Sequence, residues 1–196
     1  IPGLKAAGVM DIHVENYRLD LQDFKSLALR VRSFRPDLLI LCGFRENLLL
    51  MIPAFAQAQL LREGKVLSSY DMMEVASEIP AAMLEGIRTT APSYLFDADR
   101  EPLRSWQQRF ASQMGHPPNY THAYAYDMVS IIADAAKRVP RQASSEDISN
   151  VLLATNLQGI TGSLYFDKEG DLPTRVELGV WRNGKIVRQS ISTRNE

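Results

Sequence analysis

Six consecutive residues, Leu38-Leu-Ile-Leu-Cys-Gly43, contain no charged or amide side chain. A continuous apolar run of this length fits a strand covered on both faces, the situation of a parallel sheet flanked by helices. The segments around it carry the helical half of that pattern. Upstream, Phe24, Leu27, Ala28, Val31 and Phe34 recur at helical spacing, with Asp20 placed as N-cap and Asp23 in the first turn. Arg35-Pro36-Asp37 breaks this helix before the apolar run begins. Downstream, a helix over about Glu46 to Leu61 carries Leu49, Leu50, Ala54 and Ala58, and Pro53 either kinks it or marks a later start. Val9 to Val14, Val66 to Tyr70 and Gly86 to Ala91 read as further short strands, with a small helix near Pro80 to Leu84. Strands interleaved with helices of this length pair in parallel through crossovers. The expected class is α/β.

From Pro92 the pattern changes. Ser93 to Arg100 reads as a loop, and a helix follows from Glu101-Pro102, with proline at the first helical position. Leu103, Trp106, Phe110 and Met114 mark its buried face and Gly115 its stop. A longer helix runs from Tyr120 to Arg138, and Ser144 or Ser145 caps a third that ends near Thr155. The chain then turns to β structure. Gly159 to Asp171 reads as a short strand and a tight acidic turn, and the run Arg175 to Ser190 as two alternating strands. They are joined at Asn183-Gly184, which supplies the positive φ values of a two-residue turn.

Composition removes several function classes. Lys and Arg total 22 against 23 Asp and Glu over 196 residues, a balance that points to neither nucleic acid nor anionic lipid. The group Arg30, Arg32 and Arg35 sits where a helix C-terminus favours cations. A single cysteine, Cys42, cannot form an internal disulfide, and its apolar neighbours predict a buried thiol. His13, His116 and His122 lack metal-ligand spacing with a cysteine or acid. Asp97 to Glu101 and Asp167 to Asp171 lack the pattern of a calcium loop. Gly159-Ile-Thr-Gly162 opens no helix, so it is no phosphate cradle, and no serine sits in a nucleophile elbow. Catalysis is not expected.

Several segments, in this order, resemble the later half of type I periplasmic binding proteins, in particular the branched-chain amino acid branch of transporter solute-binding proteins. They are Asp23-Phe24-Lys25-Ser26-Leu27, Arg35-Pro36-Asp37-Leu38 to Gly43, Leu84-Glu85-Gly86, Tyr126-Asp127-Met128-Val129 and Phe166-Asp167-Lys168-Glu169-Gly170-Asp171. The resemblance implies a parallel-sheet, Rossmann-like lobe with a C-terminal antiparallel hairpin, incomplete because the other lobe's sheet has no counterpart here. It implies ligand capture by hinge closure, as the solute-binding component of an ABC-type transporter for a branched-chain amino acid or a similar small amphipathic molecule. A sensor domain of a signalling receptor with the same fold is the alternative, and a small α/β enzyme the third. No cofactor is implied. The partners would be the small ligand and a membrane permease or signalling domain, and the location periplasmic or extracellular. Residues 1–86 and 157–196 would form one lobe, and residues 87–156 a crossover with helices that pack on the other. Trp106, Phe110, Tyr124 and Ile131 would then lack their sheet and seek cover, for instance on a second copy.

Ligands of open parallel sheets bind outside the C-terminal ends of the strands. That rule selects Phe44, Arg45 and Glu46 after the first apolar strand, and Tyr70 and Asp71 after Val66 to Ser69. Phe44 or Tyr70 suits an apolar wall, and Glu46 or Asp71 suits a ligand ammonium. Arg45 suits a carboxylate. The structural alternatives are a first-turn acid for Glu46, a turn or N-cap residue for Asp71, core filling for Phe44 and a solvated cation for Arg45. Tyr120 is the sixth candidate, set against ordinary core packing with its hydroxyl bonded internally.

Overall fold

The computed structural model describes residues 2–189. After a short helix α1 (Pro2–Ala6), residues 9–24 form an irregular strap. The elements that follow are α2 (Lys25–Phe34), β1 (Leu39–Leu41), α3 (Arg45–Gln57), β2 (Val66–Ser68), α4 (Met72–Val75), α5 (Ala81–Leu84) and β3 (Arg88–Pro92). A 3-10 turn (Ser93–Phe96) leads to α6 (Leu103–Met114), α7 (Tyr120–Arg138) and α8 (Ser145–Leu153). The strands β4 (Asn156–Gln158), β5 (Ser163–Tyr165), β6 (Val176–Arg182) and β7 (Lys185–Arg188) complete the chain.

Five strands form one sheet in the order β1-β2-β3-β6-β7, and β4 with β5 forms a separate antiparallel pair. β1, β2 and β3 are parallel, with Leu41 opposite Ser68 and Ser68 opposite Thr89. β6 runs against β3, since Trp181 donates to Ile87 and Ser93 donates to Arg175 as one strand rises and the other falls. Asn183 (φ 51°) and Gly184 (φ 72°) make the turn into β7, as the sequence requires. The class is therefore α/β with a mainly parallel sheet.

The chain divides into two compact units, residues 1–89 with 180–186, and residues 90–179 with 187–196. The first unit is built on an aliphatic core in which Leu48, Ile52, Phe55, Val66, Leu84 and Ile87 are almost wholly buried, with Trp181 beside them. Burying each large side chain of this kind stabilises by roughly 1.5–3 kcal/mol. The second unit buries Tyr94, Leu103, Trp106, Tyr120, Ile131, Ile160 and Leu164.

Several expectations need correction. Val9 to Val14 is not a strand; its alternation is present, but both valines are exposed and the segment joins no sheet. β1 is shorter than its apolar run and ends the sheet order, and Leu38, Ile40 and Cys42 on one of its faces are exposed. Cys42 is therefore not the buried thiol that its neighbours suggest. Asp20 pairs with Arg18, and the N-cap position of α2 falls to Phe24; Asp23 still supports the first turn by accepting the Lys25 N–H at 2.9 Å. Pro102 precedes α6 instead of opening it. Met114 is exposed at its end, where Gly115 takes the left-handed conformation (φ 74°). Trp106 and Ile131 do not await an outside partner, because both are buried within the second unit. That removes the basis for a second copy as their cover. The most exposed large apolar residues of α7 are instead Met128, Val129 and Ile132.

Candidate functional site

Two loops of the first unit stand side by side because β1 and β2 are adjacent, parallel and in register up to Leu41 and Ser68. The first loop, Cys42 to Phe44, enters α3. Phe44 adopts an extended conformation (φ −83°, ψ 173°) just before the helix and is 61% exposed, so it is not core filling. Arg45 is paired with Glu78 across the surface, each about half exposed. Glu46 lies exposed in the first turn of α3, where the helix dipole favours an acid.

The second loop, Ser69 to Asp71, enters α4. Tyr70 is 45% exposed, and Asp71 accepts the Ser69 hydroxyl at 2.8 Å. Beneath it a buried polar relay fixes the strand ends. Ser68 donates its hydroxyl to Thr89 Oγ1 at 3.0 Å, and Thr89 donates to the Ser69 carbonyl at 2.8 Å. The Ser69 N–H reaches back to the Leu41 carbonyl at 3.3 Å, which ties the two loops together.

Two residues that sequence reasoning passed over hold the first loop. The Tyr17 hydroxyl donates to the Cys42 carbonyl at 2.7 Å, and the buried Asn47 side chain donates to the Leu19 carbonyl at 2.9 Å. A side chain at Gly43 would bring its Cβ to 2.5 Å from the Tyr17 hydroxyl. Burial pushes the Tyr17 phenol up, and Cys42 adds to the shift, so the hydroxyl is a dependable donor. Residues 17–19 thus clip the strap onto the β1–α3 loop. Pattern reading places no signal there, since the contact joins positions 25 and 28 residues apart.

Tyr120 belongs to the second unit. It is buried at the start of α7, its carbonyl lies 3.4 Å from the Tyr94 hydroxyl, and its ring meets Tyr124 edge-on. Burial raises the Tyr94 phenol well above its ordinary range, with Tyr124 and Asp127 contributing. The structure therefore brings together five of the six candidates and sets Tyr120 in a tyrosine cluster of the other unit.

A further polar centre of the second unit also escaped the sequence reading. Asp127, 2% exposed on α7, accepts the Ile160 N–H at 2.9 Å, the Thr161 N–H at 2.9 Å and the Thr161 hydroxyl at 2.6 Å. It anchors the loop between β4 and β5. Gly159 is required there, because a Cβ would fall 2.6 Å from the carboxylate. Among the described residues no group of three or more His, Cys, Asp or Glu is arranged to hold a metal ion. No helix among them is long and apolar enough to cross a membrane.

The parallel strands of the first unit agree with what comparison with known proteins finds. Residues 3–185 match the periplasmic binding protein family. The chain belongs to that family. No curated protein matches it by sequence. Among solved structures, this periplasmic binding protein chain is similar to a leucine binding protein from Thermotoga maritima, with 21% identity and a TM-score of 0.72 over 89% of this chain and 49% of that one. It is similar to an ABC transporter solute binding protein from R. palustris in complex with benzoate, with 16% identity and a TM-score of 0.74 over 93% and 51%. A branched-chain amino acid transporter substrate binding protein from Streptococcus pneumoniae, in complex with isoleucine, gives 16% identity and 0.72 over 87% and 48%. The chain spans about half the length of these structures. At such identities the likeness is one of fold.

Proposed function

We propose that this chain supplies one ligand wall of a solute-binding component of an ABC-type transporter, working by hinge closure on a branched-chain amino acid or a similar small amphipathic molecule. One observation carries the reading: Phe44 and Tyr70, two aromatics exposed to solvent, stand on neighbouring loops at the C-terminal ends of β1 and β2. Two partly exposed aromatics on adjacent loops offer apolar surface that a ligand side chain can cover. Glu46 and Asp71 add acids from the same two loops for a ligand ammonium. Arg45 is engaged by Glu78, so a ligand carboxylate would have to compete with an existing ion pair. The relatives' ligands, isoleucine in one and benzoate in another, share an apolar body and a carboxylate.

In this reading residues 1–86 and 157–196 form one lobe, and residues 87–156 a crossover with helices serving the other. The binding event shifts the open and closed populations through its differential affinity for the closed form. A permease at the membrane would read the closed form, outside the cytoplasm.

The test is a thermal-shift screen of leucine, isoleucine, valine and benzoate on the intact protein, repeated with Phe44→Ala and Asp71→Ala. A true ligand raises the melting temperature with the logarithm of its concentration. The reading predicts a hit that either substitution weakens by about tenfold or more, equivalent to one lost contact of ~1.4 kcal/mol. A hit indifferent to both substitutions contradicts the site.

A further inference from the structure

The second unit contains a cavity of about 440 Å³ that shares no residue with the β1 and β2 loops. Three segments line it: the 3-10 turn and the residues after it, the loop closing β4 onto β5, and the stretch Leu172 to Arg175 that precedes β6. Its size falls within the range of small-molecule sites. Its chemistry is cationic. Arg100 and Arg175 both contribute to the wall, from segments far apart in sequence. Among the described residues Arg100 makes no ion pair. Arg175 meets Glu177 only at 3.5 Å and is otherwise open to solvent.

Asp97 is the acid on this wall, and it is already engaged. Arg188 holds it at 3.0 Å, holds Glu177 at 2.6 Å and lies over the Phe96 ring at 5.3 Å. The cavity lining thus holds two arginines and one carboxylate, and that carboxylate is already paired with Arg188. The loop between β4 and β5 is fixed from beneath by Asp127, so Ser163 and Gly162 form a preorganised floor. Ser93 and Arg175 are joined by a 2.8 Å backbone hydrogen bond, which keeps the two cation-bearing segments in place. A planar guanidinium recognises a carboxylate through two parallel hydrogen bonds.

We infer that this cavity is a second binding site, taking a small dicarboxylate with one carboxylate on Arg100 and the other on Arg175. It shares no residue with the solute site on the β1 and β2 loops and does not depend on that assignment. Engagement of both arginines would cross-link the segment after β3 to the segment before β6.

The test uses the intact protein and succinate as probe, with uncharged succinamide and sodium chloride at equal ionic strength as controls. Succinate should raise the melting temperature saturably, and neither control should. Arg100→Gln and Arg175→Gln should each weaken the apparent affinity by about tenfold. Phe44→Ala should leave it unchanged. Circular dichroism checks that the variants fold, and hydrogen exchange on the unaltered protein supplies a second readout, with succinate expected to protect amides over 93–100 and 161–175. The inference is overturned by no saturable shift, by arginine variants as responsive as the parent, by loss of the response in Phe44→Ala, or by no protection in those segments.

Discussion

The two compact units of this chain are stabilised by different means. The first is an aliphatic core sealed between helices and sheet, with Leu48, Ile52, Phe55, Val66 and Leu84 at 2% exposure or less. The second depends on a buried carboxylate, Asp127, and on a cluster of tyrosines, and it leaves Met128, Val129 and Ile132 of α7 open to solvent. Hydrophobic burial is non-directional and tolerates small movements. A buried charge with three hydrogen bonds fixes one geometry and fails sharply when a partner is lost. The first unit can therefore carry exposed loops on a robust base, whereas the second gains definition from a few polar contacts.

That contrast can be broken from either side. The largest effect is expected from Phe55→Ala, which opens a cavity in the first unit and should cost about 4 kcal/mol by chemical denaturation. Asp127→Ala should cost about 3 kcal/mol, because it strands the buried Ile160 N–H and the partly buried Thr161 N–H. Hydrogen exchange should show its effect concentrated in residues 156–165, with the amides of α3 much less affected. Equal loosening of both regions would mean that the units are not stabilised separately. Ser144→Ala removes the cap of α8, where the Ser144 hydroxyl accepts the Asp147 N–H at 3.1 Å, and should cost about 1 kcal/mol.

The smallest effect is one of pH. The Asn183 N–H, followed by Arg182, holds the Glu85 carboxyl below its ordinary 4.5 in the first unit. The Ser144 N–H and hydroxyl hold Asp147 below 3.8 in the second. Both groups have depressed folded values, so their contribution is present above the ordinary carboxylate range and is lost as pH falls through the folded values. Stability should decline below about pH 4.5 and less steeply in Glu85→Gln. An unchanged slope in that variant would remove Glu85 from the account.

How much of this was legible depended on how local each determinant is. α7 spans Tyr120 to Arg138 as its periodicity requires, and Asn183-Gly184 and Ser144 act where their backbone chemistry places them. The two candidate loops also lie where the sequence pattern puts them, at the C-terminal ends of parallel strands. What escaped was set by distant contacts. Val9 to Val14 alternates like a strand but has no neighbour to supply a ladder. Cys42 shares its face of β1 with Leu38 and Ile40, which only sheet order leaves uncovered. α4 and β4, of four and three residues, are too short for any period to register. Tyr17, Asn47 and Asp127 act through partners at least 25 residues away.

The central claim is that the loops after β1 and β2 face the solute. Hydrogen–deuterium exchange on the intact protein, with and without the best ligand from the amino acid and benzoate screen, tests it most directly. The account predicts slowed exchange at 42–48 and 69–73. Ligand protection confined to other segments, with those two loops exchanging as before, would contradict it.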